Sequence, residues 1–197
     1  MSVNSLYAVV LAAGEASRFG STKQLADFAG EPLAARAIRT AEIVCGSRSL
    51  LVTGNDWYKV SAACEPLQGF MILNPRFADG LASSLAQGVR SVCDVADGML
   101  LMLADQPLIT TEHLKSLVKA WHSNPDSICA SAYADTVGPP VIFPRRCFSD
   151  LMELRGDRGA KAVIDGNRDK VVTIQFEDAA VDIDRPDDLP KKGSEPF

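Results

Sequence analysis

Between Leu6 and His122 an apolar run gives way four times to a segment with helical spacing. The runs Leu6–Leu11, Ser49–Thr53, Phe70–Leu73 and Met99–Leu103 have the length of buried strands. Gly54-Asn55 and Asn74-Pro75 close two of them. The first intervening segment, Leu33 to Cys45, follows Pro32 and repeats Leu33, Ala37, Ile38, Ala41 and Val44 on one face. Helices are predicted again from Trp57 to Cys64, from Gly80 through Val92, and from Thr110-Thr111-Glu112 to about His122. Strand and helix in alternation predict an α/β fold of three layers, Rossmann-like, with a mostly parallel sheet between helices.

After a fifth predicted strand, Ser127–Ala132, the rhythm changes. Gly138-Pro139-Pro140 is expected to break the chain before a short strand Val141–Phe143. Short helices near Arg146–Leu154 and Arg158–Ile164 flank Gly156-Asp157-Arg158-Gly159, and Val171–Phe176 is the last strand. This is expected to be a second half of the same domain, with a frayed polar tail.

Composition narrows the function classes. A net charge of −5 argues against a nucleic-acid surface but leaves room for a local cationic pocket. Cys45, Cys64, Cys93, Cys129 and Cys147 are scattered and odd in number, with no C-x-x-C pair. Reduced, mostly buried thiols are expected, without a zinc site or disulfide frame. Neither a secretory leader nor a long apolar segment is evident, so a cytoplasmic protein without membrane partners is expected. His113 and His122 are too far apart for helical metal ligands and read as surface or core-edge residues.

In an open parallel sheet, ligands sit beyond the carboxyl ends of the strands. The first strand ends in Ala12-Ala13-Gly14, followed by Arg18, Gly20 and Lys23. Glycine admits an anion close to the backbone, and the cations balance phosphate charge. The fourth strand runs into Ala104-Asp105-Gln106-Pro107, so Asp105 should project near Arg18 and Lys23. A lone carboxylate beside a phosphate loop suits Mg²⁺, which completes its shell with water and phosphate oxygens. Asp182 and Asp184 share one face of an extended segment and offer a second ligand. Taken singly, the glycines read as turns, the cations as a solvated edge, and Asp105 and the acidic run at 182–188 as helix caps. Their coincidence at predicted strand ends favours a site. The loop is neither G-x-G-x-x-G nor a Walker A sequence, and Gly80-Leu81-Ala82-Ser83-Ser84 is not a hydrolase elbow.

The pattern Leu11-Ala12-Ala13-Gly14-x-x-x-Arg18-x-Gly20-x-x-Lys23 resembles the signature of the MobA-like nucleotidyltransferases of molybdenum-cofactor synthesis, above all the cytidylyltransferases. The likeness extends through Gly30-Glu31-Pro32-Leu33, Asn74-Pro75, Ser83-Ser84, Ala104–Pro107 and Asp182–Asp188. The resemblance implies one nucleotidyltransferase domain over 1–190, with a nucleotide half to about 110, an acceptor half beyond it, and a tail over 191–197. It implies a nucleotide site of Leu11, Ala12, Ala13, Gly14, Arg18, Lys23, Thr53, Gly80, Ser84 and Asp105, with Arg18, Lys23 and Asp105 catalytic. Asp105 and Asp184 would hold Mg²⁺. The expected reaction moves CMP from CTP onto the terminal phosphate of molybdopterin bearing molybdenum, with loss of pyrophosphate. A molybdoenzyme is a further expected partner.

Three alternatives stay open at this level. Relatives that use GTP more often have glycine where Ala13 stands. Pro139 occupies a position where histidine is frequent in the cytidylyltransferases, so another phosphorylated acceptor, such as a sugar or polyol phosphate, is one alternative. A non-catalytic nucleotide- or cofactor-binding partner of a molybdoenzyme is another.

Overall fold

The computed structural model describes residues 5–14 and 19–189. Arg18, expected to bind the nucleotide and act in catalysis, and the tail from Pro190 lie outside those residues.

Strand β1 (Leu6–Ala12) sits at the centre because every one of its residues but Tyr7 is buried. Its alternation divides the core into two layers. Ala8, Val10 and Ala12 face one cluster, and Val9, Leu11 and Ala13 face the other. After a 3-10 turn (Lys23–Leu25) and a minimal hairpin of β2 (Asp27–Phe28) and β3 (Glu31–Pro32) comes helix α1 (Leu33–Cys45). Pro32 starts α1, and Gly46, at φ +57°, ends it. Strands β4 (Ser49–Thr53), β5 (Phe70–Leu73) and β6 (Gly98–Leu103) alternate with α2 (Trp57–Cys64), α3 (Leu81–Val92) and α4 (Thr111–Ser123). Strands β7 (Ile128–Tyr133) and β8 (Thr136–Pro144), then α5 (Phe148–Glu153), α6 (Lys161–Asp165) and β9 (Val171–Gln175), complete the described chain.

The seven-stranded sheet runs β5-β4-β1-β6-β8-β7-β9. All neighbours are parallel except β8, which is antiparallel to both β6 and β7. Helices α1 and α4 cover one face through Ile38, Leu114 and Trp121, while α3, α5 and α6 cover the other through Leu85, Leu151 and Val163. Gly88 lets α3 approach β1 closely, because a Cβ there would stand 2.5 Å from Val9 Cγ1. That contact packs the later half of α3 against the middle of β1.

Two expectations need correction. Gly138-Pro139-Pro140 does not break the chain; it lies inside β8. Proline has no N–H for a ladder, and the ladder avoids both prolines. The β7–β8 register passes from Ala130 opposite Val141 to Ser131 opposite Gly138, skipping 139 and 140. Their carbonyls are used elsewhere: Gln106 Nε2 donates to Pro139 O at 3.2 Å and Ser131 Oγ to Pro140 O at 2.7 Å.

His113 is also not a surface or core-edge residue. It is buried, stacked on Phe176 with ring centroids 4.1 Å apart, and its Nε2 lies 2.7 Å from Ser131 Oγ. Since Ser131 donates to Pro140, the His113 Nε2–H is the donor to Ser131. His122 is exposed. All five cysteines are unpaired, and every one but Cys93 is buried. Among the described residues, no helix is long and apolar enough to cross a membrane.

Candidate active site

Because β1 and β6 are parallel neighbours, Ala12-Ala13-Gly14 and Ala104-Asp105 emerge side by side at their carboxyl ends. Ala104 N–H extends the ladder one step by donating to Leu11 O at 3.0 Å. A cavity of about 540 Å³ opens there, between the two strand ends and the start of α3. Leu11, Ala12, Ala13, Gly14, Lys23, Gly80, Ser84 and Asp105, all candidates from the sequence, line it.

Each charged group has a visible cause for its placement. Lys23 sits in a 3-10 turn closed by Leu25 N–H to Thr22 O at 2.9 Å. Thr22 Oγ1 anchors that turn to Asp56, ahead of α2, and Gln24 Nε2 anchors it to Gly14 O at 2.9 Å. Asp105 is held by its surroundings: Arg36 Nε donates to Pro107 O at 2.6 Å, and Ile183 N–H to Asp105 O at 3.0 Å. The Ile183 contact, with Ile183 buried against Phe28 and Leu33, brings the 182–188 segment to the same place. Asp188 Oδ2 accepts from the N–H groups of Asp184 and Arg185 at 2.9 and 2.7 Å and fixes the turn that presents Asp184. Asp105 is not a helix cap; Thr110 caps α4 by accepting from His113 N–H.

Lys23 Nζ bridges the two carboxylates, at 2.8 Å from Asp105 Oδ2 and 3.0 Å from Asp184 Oδ1. Burial alone would lower the Lys23 ammonium, but the charges and hydrogen bonds of Asp105 and Asp184 outweigh it and leave the group raised. Asp182 keeps contact with solvent, yet the protein packed around it and the charges of Asp105 and Asp184 lift its carboxyl to about 6, against the pull of Lys23.

The donor set fits a divalent cation on one particular observation. Among the described residues Asp105 Oδ1 is buried without a hydrogen-bond partner, a carboxylate oxygen left uncompensated beside the cavity. Asp184 stands within reach because both carboxylates contact one ammonium. Among the described residues no group of three carboxylate, histidine or cysteine side chains is arranged to hold a metal. Two carboxylates with the remaining positions left to water and phosphate is the pattern of Mg²⁺ or a similar hard cation.

Thr53 does not line the cavity. It is fully buried, and its hydroxyl donates to Ile72 O at 3.1 Å across the β4–β5 pair. Arg18 falls outside the described residues. The cavity also contains Gln24, Leu33, Phe77 and Asp157, which the strand-end reading did not name as site residues. Gln24 is carried by the same short turn as Lys23. Asp157 lies in a turn between two glycines, a local signal for a presented side chain, but nothing nearby in sequence says where that turn docks.

The chain is similar to known proteins along most of its length. Purine catabolism protein PucB of Bacillus subtilis is 28% identical over 194 residues, 93% of either chain. A probable molybdenum cofactor guanylyltransferase of Synechococcus elongatus is 30% identical over 132 residues, which is 66% of this chain and 64% of that protein. The solved structure of Rv0371c of Mycobacterium tuberculosis H37Rv in complex with manganese superposes with a TM-score of 0.75 at 26% identity, covering 94% of this chain and 96% of that one. The architecture is that of the nucleotide-diphospho-sugar transferase fold. The model of the MobA-like NTP transferase domain matches residues 8–171, and the chain belongs to that family.

Proposed function

We propose that this nucleotidyltransferase moves CMP from CTP, with Mg²⁺, onto the terminal phosphate of molybdopterin carrying molybdenum. The observation that carries the reading is the Lys23 ammonium bridging Asp105 and Asp184 at the mouth of a cavity walled by Leu11–Gly14. The backbone of Ala12-Ala13-Gly14 approaches the nucleotide, and Lys23 places a full positive charge where triphosphate charge accumulates. Asp105 and Asp184 would hold the divalent ion, which when bound neutralises phosphate charge during transfer. The acceptor phosphate is ionised at neutral pH and attacks the α-phosphorus in line; a P–O bond to it forms as the bond to pyrophosphate breaks. No general base is needed, so positioning and electrostatics supply the catalysis.

Within this reading Ala13 supports cytidine, because its methyl narrows the wall beside the base. A second reading, GTP as donor, draws support from the name of the Synechococcus relative. Another phosphorylated acceptor is supported by Pro139 in β8, whose carbonyl is tied to Gln106 next to Asp105. Pyrophosphate release from each nucleoside triphosphate, with and without molybdopterin, separates these readings. Release from CTP that requires molybdopterin is expected. Consumption of no triphosphate with any acceptor would leave only a binding role.

A further inference from the structure

One ionic group in the cavity has no part in the transfer just described. Asp157 lines the cavity as an exposed residue, and its carboxylate makes no hydrogen bond or ion pair among the described residues. It is placed there by construction. Ala82 N–H donates to Gly156 O at 3.0 Å, docking the turn on the start of α3. Gly80, at φ +94°, has no Cβ, and one there would stand 2.6 Å from Gly156 O and 2.7 Å from Asp157 Oδ1. The chain therefore uses a glycine to bring this carboxylate to the cavity wall.

A carboxylate beside bound phosphates is repulsive, even though Asp157 is exposed and solvent screens part of its charge. Phosphates therefore belong at the other end, with Lys23. The two ends approach from opposite faces of the sheet. The Lys23 turn packs through Leu25 on the layer of α1, whereas α3 and the α5–α6 region belong to the other layer. Phe77, Ala78, Leu81 and Leu11 line the same cavity with apolar side chains, beside the Ser84 hydroxyl. A partly apolar cavity with a carboxylate acceptor on its wall suits a heterocycle that offers an N–H donor.

Resting on the nucleotidyltransferase reading, we infer that Asp157 is a specificity-determining residue that accepts a hydrogen bond from the exocyclic amino group of the nucleobase and rejects uracil. Cytosine presents a donor at its 4-position; uracil presents a carbonyl oxygen there, which would face the carboxylate unpaired. A site built to pair one such group discriminates strongly against the analogue lacking it. Asp157 selects by donor, while Ala13 and Leu33 restrict size.

Calorimetric binding of CTP and of UTP to the full chain with Mg²⁺ tests this without an acceptor. The unaltered protein is expected to bind CTP at least about tenfold more tightly than UTP, as for a hydrogen bond to a charged group. Asp157→Asn, whose amide both donates and accepts, is expected to bring the two nucleotides within about threefold of each other. Asp157→Ala is expected to weaken CTP about tenfold and to tighten UTP, whose carbonyl no longer faces an unpaired carboxylate. An unchanged CTP-to-UTP ratio in both variants overturns the inference, as does equal weakening of both nucleotides. If Asp157→Asn instead raises only the KM for molybdopterin, the carboxylate serves the acceptor and the inference fails. Binding of neither nucleotide by the unaltered protein removes the nucleotidyltransferase reading itself, a different result from an unchanged ratio.

Discussion

β6 and β8 lie side by side in the sheet and are held in opposite ways; β6 runs into the cavity, whereas no residue of β8 is among those lining it. β6 is parallel to β1, is buried from Gly98 to Met102, and delivers Asp105 simply by ending. β8 runs antiparallel to it, and two of its residues, Pro139 and Pro140, take no part in the β7–β8 ladder. Side chains replace the missing ladder there: Gln106 takes Pro139 O and Ala179 O, Ser131 takes Pro140 O, and His113 supports Ser131. One strand is held by backbone hydrogen bonds that any apolar sequence can make. The other depends on three particular polar side chains, and among the described residues Gln106 Oε1 is left buried without a partner, so that network is the costlier support.

The sharpest break of that contrast is at the strand end. Asp105→Ala is expected to lower pyrophosphate release about a thousandfold, roughly 4 kcal/mol of transition-state stabilisation, while the cooperative unfolding transition persists. Turnover that survives would move the chemistry away from the β6 end. On the β8 side the corresponding vulnerability is acid. Burial holds the His113 imidazole down at about 4, against an ordinary 6.5 in the unfolded chain. Between those values the unfolded state binds the extra proton, so stability is complete above pH 6.5 and declines as pH falls towards 4. The loss from this one group is about 3 kcal/mol. Urea unfolding at several pH values should show it, and His113→Leu should remove that part of the slope. An identical slope in the variant would mean that His113 takes up its proton at the same pH in the folded and unfolded protein.

A smaller effect separates the two strands further. Gln106→Leu deprives two backbone carbonyls of their donor at a cost of about 2 kcal/mol. Amide exchange in β7 and β8 should quicken more than in β1. Equal quickening in both would show that the two regions unfold as one unit.

The same contrast governs what the sequence disclosed. Strands Ser49–Thr53 and Phe70–Leu73 and helix Leu33–Cys45 fall where periodicity places them, because each ends at a local breaker. The position of Asp105 follows from a strand end, a property of parallel topology, whereas Lys23 reaches it from a turn tied to Asp56 and Gly14. Of β8 the sequence discloses only Val141–Phe143, because its prolines are tolerated through partners remote in sequence. His113 was misread for the same reason: its burial depends on Ser131 and Phe176, which no helical period reports. Asp157 was passed over because the docking of its turn on α3 is tertiary.

Thr53 marks the limit of strand-end reasoning on the parallel side itself. It ends β4 just as Ala12 ends β1, yet every residue of β4 is buried, and its hydroxyl points sideways to Ile72 O, not into the cavity. Being last in a strand fixes height above the sheet, not the direction of the side chain. Alternation along the strand and the position of the cavity decide that. Thr53→Val keeps the shape and removes one hydrogen bond, so it should cost about 1 kcal/mol of stability. The KM for the nucleotide should stay as it is, since no contact with the cavity is lost. A several-fold rise in that KM, with stability unaltered, would return Thr53 to the nucleotide site and show that β4 contributes to the wall as β1 and β6 do.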